Sequence, residues 1–148
     1  MLLLRLQTPK NRYMLDASVI AEIIPLVHYT VVPNSPEFIT GVINFRGRPV
    51  PVVDLGQLID KMPCRQRVNT RIILAKIAIA EEKQVFFGII AEGISSTFHL
   101  NRAPKESSEM LVHELLDPDK SDQQQFVQLL DLEKVLGPER ITRLVDYC

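Results

Sequence analysis

The chain has 148 residues, with 17 lysine and arginine residues against 18 aspartate and glutamate residues, and a formal net charge of −1. This length fits one domain that can bury a sizeable core, and the balanced charge argues against a strongly basic surface built to bind nucleic acid. The apolar runs are far shorter than the roughly 18 to 20 residues that span a bilayer, so we expect a cytoplasmic protein.

Strand patterns outnumber helix patterns along the chain. Near the N-terminus, apolar and polar residues alternate as in a half-buried strand, and a turn then leads into a second strand. Further on, a short polar turn separates two segments that are rich in β-branched and apolar residues. We therefore predict an opening hairpin at residues 2–7 and 12–15, a second hairpin at residues 71–80 and 85–91, and a further strand at residues 94–100.

The helix patterns are short. Residues 16–23 predict one or two helical turns that Asp16 or Ser18 would cap. Residues 36–39 fit a helical turn with proline at its first position, where a missing N–H has no intrahelical partner to lose. The remaining polar stretches, residues 105–109 and 118–125, are predicted as loops.

Residues 47–53 read as a strand that contains two prolines. Alternation points the backbone nitrogens of Pro49 and Pro51 toward the same edge, and neither nitrogen carries a hydrogen to donate. Val50 and Val52 share one side-chain face. We therefore expect this strand at an outer edge of a sheet or at a barrel rim.

A short internal echo relates residues 52–59 to residues 129–136. Each segment has an apolar pair, Asp-Leu, two variable positions and a second apolar pair. In both, we expect a strand to end, the aspartate to accept hydrogen bonds from a following helical turn, and the apolar residues to fold onto the core. Chance, a common strand-to-helix exit and two related β lobes would each explain the echo.

Motifs for catalysis, nucleotides and metals are missing from the sequence. His28, His99 and His113 are isolated, with neither an H-E-x-x-H nor a metal-ligand spacing. The glycine patterns of dinucleotide and P-loop sites and the G-x-S-x-G elbow are also lacking. Cys64 and Cys148 have no C-x-x-C spacing, so we expect free thiols. The sequence therefore predicts no catalytic residue, no cofactor and no metal site.

The segment F-I-T-G-V-I-N-F-R-G at residues 38–47 contains one basic residue, Arg46. We expect Gly41 and Gly47 to supply backbone freedom, and a turn to hold Arg46 outward as a five-donor fork for a carboxylate. The plainer interpretation is a surface arginine beside a hairpin turn.

Residues 33–55 read P-N-S-P-E-F-I-T-G-V-I-N-F-R-G-R-P-V-P-V-V-D-L and resemble the CheW-like family of chemotaxis coupling proteins. The signature of that family is a proline-rich entry, then G-V-x-N-[LF]-R-G, then P-V-[VI]-D-L. Supporting matches are V-I-A-E-I-I at residues 19–24, G-I-I-A-E at residues 88–92 and L-L-D-L at residues 129–132.

The resemblance implies a mainly β fold of two packed, SH3-like, five-stranded β-barrels with short helices. It implies one domain over residues 1–148, with two lobes that meet near residues 60–70 and that exchange N-terminal strands. Residues 138–148 would then form a C-terminal tail.

The resemblance also implies a non-catalytic adaptor without a cofactor. Such proteins connect the cytoplasmic tips of chemoreceptors to the regulatory domain of a CheA-type histidine kinase, and they are recruited to membrane receptor arrays, where they also meet other CheW-like domains. A receptor hairpin would lie as a helix in an apolar groove between the barrels, without nucleic acid or membrane insertion. The partner-binding residues that the resemblance implies are Ile20, Glu22, Gly41, Asn44, Arg46 and Gly47.

Three departures from the family pattern suggest a divergent member that serves an accessory chemosensory system. Pro49 stands where the family keeps a non-proline residue, Ala91 and Glu92 replace Val-Asp, and residues 116–126 are unusually polar and rich in glutamine.

Two alternatives stay open from the residues themselves. A β-barrel module that binds single-stranded nucleic acid would need exposed aromatic residues among basic ones. Phe86 and Phe87 lie in an apolar run, which favours core packing. An enzyme whose site is assembled only in space is the other alternative.

Overall fold

The computed structural model describes residues 1–99, 112–116 and 126–146. The predicted loops at residues 105–109 and 118–125, and Cys148, lie outside the described residues. The elements are β1 (Leu2–Gln7), β2 (Arg12–Asp16), β3 (Ile20–Pro25), β4 (Ile39–Phe45), β5 (Arg48–Asp54), α1 (Leu55–Ile59), β6 (Arg71–Ala80), β7 (Lys83–Ala91), β8 (Thr97–His99), β9 (Val112–Leu116), β10 (Phe126–Leu130) and α2 (Leu132–Val145). None of the described helices is long and apolar enough to cross a membrane.

The strands form two five-stranded sheets. The first sheet has the order β8-β1-β2-β10-β9, and the second has the order β3-β6-β7-β5-β4. Both predicted hairpins are confirmed, since β1 pairs with β2 and β6 pairs with β7 in antiparallel register. The further strand appears as β8, which pairs with β1.

The two sheets share one pattern of strand pairing, although the chain passes through the equivalent strands in a different order. Each contains a hairpin, β1–β2 or β6–β7, whose second strand pairs in parallel with the strand that leads into a helix. That strand, β10 or β5, also pairs with the strand before it in antiparallel register. The internal echo of the sequence therefore marks equivalent strand-to-helix exits in the two sheets.

The aspartates of the echo cap these helices as predicted. Asp54 accepts from the Gln57 N–H at 3.2 Å at the start of α1. Asp131 accepts from the backbone N–H groups of Glu133 and Lys134 at the start of α2. The first leucine of each helix is buried, so each exit turns the chain back onto the core.

A shared core lies between the two sheets. It joins inward side chains of β1 and β2 to one face of β6 and β7 and to the buried leucines of α2. The opposite face of the second sheet covers a smaller cluster, to which Val50 and Val52 of β5 contribute, whereas Val53 belongs to the shared core. The predicted common face of Val50 and Val52 is confirmed.

The helix predicted at residues 16–23 is wrong beyond its first turn. Asp16 accepts from the Ser18 N–H and caps a 3-10 turn at Ala17–Val19. The chain then becomes β3, because residues 20–25 find an antiparallel partner in β6. The segment at residues 36–39 is a hydrogen-bonded turn that enters β4 rather than a helical turn, with the Ile39 N–H donating to the Pro36 carbonyl.

The edge position predicted for the proline-containing strand is also wrong, because β5 lies between β4 and β7. Its parallel register with β7 covers Val52, Val53 and Asp54, and it starts directly after Pro51. Pro49 and Pro51 therefore lie in the part of β5 that comes before its pairing with β7. An inner strand can contain two prolines there, because no hydrogen bond to β7 is lost.

Residues 138–145, expected in a C-terminal tail, are helical in the structure, and Leu144 is fully buried in the shared core. Gly137, with φ 80° and ψ 160°, breaks α2, and Pro138 starts its second segment. The predicted lobe boundary near residues 60–70 falls in the connection between α1 and β6. The division into lobes at that place stays a prediction.

Candidate partner-binding site

The turn between β4 and β5 holds Arg46 outward. Arg46 has φ 50° and Gly47 has φ 80°, as the favoured two-residue hairpin loop with two left-handed residues requires. Asn44 fixes this turn, since its Oδ1 accepts from the Gly47 N–H at 2.9 Å. The Arg46 side chain is 75% exposed, so its guanidinium stays accessible to a partner.

Arg46 is paired with Glu22 across the second sheet. The Arg46 Nη2 lies 3.3 Å from the Glu22 Oε2, although the two residues are 24 positions apart in the chain. Both side chains are substantially exposed, and such a pair contributes only about 0–1 kcal/mol to stability. The pair therefore fixes where the cation points more than it stabilises the fold.

The same ion pair links the two outer strands of the second sheet. Glu22 lies in β3, and Arg46 follows β4 at the opposite edge of the strand order. Thr30 and Val42 form a further bridge between the segment after β3 and the strand β4, with backbone hydrogen bonds of 2.9 and 2.8 Å. The sheet thereby closes on itself, and the ion pair lies at the closure.

Two arginines flank a pair of phenylalanines beside the ion pair. The Arg46 Cζ lies 4.9 Å from the Phe45 ring centroid, and the Arg48 Cζ lies 5.5 Å from that of Phe86. The two rings are 6.0 Å apart and tilted. Phe45, Phe86 and Arg48 were missed in the sequence, where F-R-G-R within a hairpin was the available signal. We call these four residues the arginine–phenylalanine stack.

Gly41 and Ile20 contribute differently from the other predicted residues. A Cβ at Gly41 would lie 2.6 Å from the Tyr29 Cδ2 and 2.9 Å from the Thr30 carbonyl oxygen, so close approach rather than backbone freedom requires glycine there. Ile20 is partly buried and packs against the shared core. The structure therefore brings Glu22, Asn44, Arg46 and Gly47 together and leaves Gly41 and Ile20 as supporting residues.

A groove of about 430 Å³ runs between the two sheets. Its apolar walls come from the ends of β2, β6 and β10 and from the start of α2, with charged residues among them. The residues that line this inter-sheet groove are Leu15, Asp16, Ser18, Val19, Lys76, Ile77, Ala78, Gln84, Leu129, Leu130, Asp131, Leu132 and Glu133. Phe45 and Phe86 of the arginine–phenylalanine stack pack against the smaller cluster, so the groove and the stack lie on opposite faces of the second sheet.

A second cleft, of about 780 Å³, separates α1 and α2. Arg140 lies in it, with its Cζ 5.9 Å from the Phe38 ring centroid and its Nη1 donating to the carbonyls of Val135 and Leu136. Glu139 also lines this cleft, but none of the predicted partner-binding residues does.

Cys64 is a buried, free thiol beside the carboxylate of Asp54. Its N–H donates to both carboxylate oxygens of Asp54 at 3.1 Å, and its Sγ lies 3.5 Å from the Ile90 carbonyl oxygen. Burial, and then the charge of Asp54, raise the pKa of Cys64 far above its ordinary value. The neutral thiol is a poor nucleophile.

Another buried carboxylate takes part in a structural ion pair. Glu92 is buried and pairs with Arg65 at 2.9 Å, which ties the segment before β6 to the end of β7. Residues 1–99, 112–116 and 126–146 contain no group of three or more His, Cys, Asp or Glu side chains that could hold a metal ion.

Comparisons with known proteins agree on one family. The model of the CheW-like domain matches residues 1–140. The chemotaxis protein CheW of Klebsiella aerogenes is 30% identical over 140 residues, which cover 92% of this chain and 81% of that protein. The solved structure of the scaffolding protein TtCheW from Thermoanaerobacter tengcongensis superposes with a TM-score of 0.75 at 19% identity, over 94% of this chain and 89% of that one. The predicted fold class, with its SH3-like β-barrels, is confirmed.

Proposed function

The chain belongs to the CheW-like family, and we propose that it is a non-catalytic chemosensory adaptor. It couples the cytoplasmic tips of chemoreceptors to the regulatory domain of a CheA-type histidine kinase, within receptor arrays at the membrane. The names of the relatives, a chemotaxis protein and a scaffolding protein, support this assignment. An adaptor acts through contacts alone, in keeping with a site made of an exposed cation and an apolar groove.

The observation that carries the proposal is the exposed ion pair between Glu22 and Arg46, in which Arg46 lies in a hairpin turn that the Asn44 side chain holds in shape. The guanidinium is held by a carboxylate at 3.3 Å and by the ring of Phe45, yet three quarters of its side chain is open to a partner. Preorganised arginine binds carboxylates with directed hydrogen bonds, which favour specificity and register. Arg46 and Glu22 would orient the kinase domain, with Asn44 and Gly47 keeping the turn in shape.

The inter-sheet groove would accept the receptor. A chemoreceptor tip is a helical hairpin, and helices dock through an apolar stripe laid in a groove. Val19 and Ala78 are the apolar lining residues that are at least partly open to a partner, and the buried Leu15 and Ile77 lie beneath them. The two sheets would then act as two lobes that hold the partner between them.

The proposal is tested by binding measurements with two purified probes: the regulatory domain of a CheA-type kinase and a receptor-tip fragment, both from the organism that encodes this chain. Arg46→Glu and Glu22→Lys should each weaken binding to the kinase domain by about tenfold, or about 1.4 kcal/mol. Arg67→Glu is the matched control, because Arg67 is an exposed arginine outside the hairpin. Its affinity should stay at the wild-type value.

Unfolding curves for all three variants separate a binding defect from a folding defect. Equal affinity of Arg46→Glu, Glu22→Lys and wild type for the kinase domain would remove these residues from the interface. A wild-type chain that binds neither probe would contradict the adaptor function itself.

The nucleic-acid alternative finds no comparable support among the described residues. In the arginine–phenylalanine stack, the rings are half-buried and lie against each other and the two arginines, rather than standing open for base stacking. A fluorescence titration with single-stranded oligonucleotides at low salt should show weak binding or none. Tight, salt-sensitive binding would favour the alternative.

A further inference from the structure

The inter-sheet groove has an acidic rim. Of its lining residues, Asp16, Asp131 and Glu133 are acidic, and Lys76 is the one cation among them. No ion pair joins Lys76 to these carboxylates within the part of the chain that the structure describes. The groove therefore presents excess negative charge around apolar walls.

Two of the rim carboxylates are held in place by the backbone. The Asp16 Oδ1 accepts from the Ser18 N–H at 3.0 Å, and the Asp131 Oδ1 accepts from the N–H groups that start α2. In both, the hydrogen bonds go to Oδ1, and Oδ2 has no donor among the described residues. Each cap thus leaves one carboxylate oxygen available to a partner.

This rim has the opposite charge to the arginine–phenylalanine stack. That stack offers two guanidinium groups, of which Arg46 is balanced by Glu22. The groove lies on the shared-core face of the second sheet, and the stack lies on the opposite face. Two surfaces of opposite sign on one protein discriminate between two partners, because a misplaced partner meets like charge.

We infer that the inter-sheet groove selects a helix whose apolar stripe is flanked by lysine or arginine side chains. This inference rests on the proposed function, since it takes the receptor tip as the occupant of the groove. The apolar walls supply affinity, while the acidic rim supplies attraction, orientation and rejection of helices with acidic flanks. Glu133, exposed in the first turn of α2, is the residue through which this charge preference is most easily changed.

The test measures the affinity of the full chain for a purified receptor-tip fragment from the same organism. Glu133→Lys should weaken binding by about threefold to tenfold, and Lys76→Glu should strengthen it. Glu139→Lys is the matched control: it makes the same charge change on α2, but Glu139 lines the other cleft. Raising the salt from about 50 mM to about 300 mM should weaken the wild type more than Glu133→Lys.

Two results would overturn the inference. One is equal affinity for Glu133→Lys, Glu139→Lys and wild type; the other is weaker binding by Lys76→Glu, which would indicate an acidic partner. In another outcome, the wild type binds the receptor tip while Arg46→Glu no longer binds the kinase domain. The adaptor function then stands, even when Glu133→Lys and Lys76→Glu have no effect on binding to the tip. Failure of the wild type to bind the tip would refute both.

Discussion

Cys64 shows how a single residue can link stability to pH. Burial and the charge of Asp54 raise its pKa, so the folded protein keeps a thiol proton that the unfolded chain loses above about pH 9. The pKa of Tyr13 is also raised, by burial and then by the charge of Asp60, and acts in the same direction.

We expect the free energy of unfolding to fall as the pH rises above about 9, because more protons are then bound in the folded state. Urea unfolding at a series of pH values measures this slope, and Cys64→Ala should make it shallower. In a Cys148→Ser background, folded protein should also resist a thiol reagent that reacts on unfolding. Rapid labelling of Cys64 under native conditions would contradict this account.

Single positions were partly predictable from the sequence. The outward Arg46 and the left-handed Gly47 follow from the hairpin motif, and the structure has both. The ion pair with Glu22 does not follow from any spacing rule, because closure of the sheet brings together residues 24 positions apart. The same holds for Gly41, whose neighbour Tyr29 comes from another segment.

At the scale of elements, Asp54 and Asp131 both cap the start of a helix, but their other hydrogen bonds differ. Asp131 serves only the start of α2, whereas Asp54 also receives the buried N–H of Cys64. Loss of a cap costs about 1 kcal/mol, and an unsatisfied buried donor costs a further 1–3 kcal/mol or so.

We therefore expect Asp54→Ala to lower the free energy of unfolding by about 2–4 kcal/mol and Asp131→Ala by about 1 kcal/mol. Urea titration followed by far-UV circular dichroism measures both changes. Asp131→Asn is the control, since asparagine caps a helix about as well as aspartate. Equal losses for the two alanine variants would show that the Cys64 hydrogen bonds add nothing.

Elements with a clear alternation were predicted well, and elements set by a distant partner were not. Both hairpins follow from patterns within a few residues of each other. β3 has a sequence that also fits a short helix, and its register with β6, about 50 residues later, decides the outcome. The position of β5 within its sheet depends in the same way on β7.

For the molecule as a whole, the shared core ties the two sheets together. Leu4 and Leu15 of the first sheet and Phe87 and Ile89 of the second belong to one buried cluster, which Leu144 of α2 completes. Neither sheet can therefore lose its packing without exposing the apolar face of the other.

We expect a single cooperative unfolding transition. Tyrosine fluorescence and far-UV circular dichroism should give the same urea midpoint, as two-state unfolding requires. Tyr13 lies in the shared core and Tyr29 beside the smaller cluster, so tyrosine fluorescence reports on both. Two separate midpoints would instead support two sheets that unfold independently.

The two-sheet architecture was accessible from the sequence through the family resemblance and the internal echo. The internal echo alone could be a chance match, because eight residues do not show which strands pair with each other. The equivalent placement of β5–α1 and β10–α2 became visible only with the strand orders.

The strand order of the first sheet also dictates when it can form during synthesis. The ribosome makes β1 and β2 first, yet β2 finds its parallel partner only in β10, more than 100 residues later. The second sheet draws all its strands from one continuous stretch between β3 and β7. We therefore expect the second sheet to assemble first on the nascent chain, and the first sheet to stay incomplete, with one edge of β2 unpaired, until the last strand emerges.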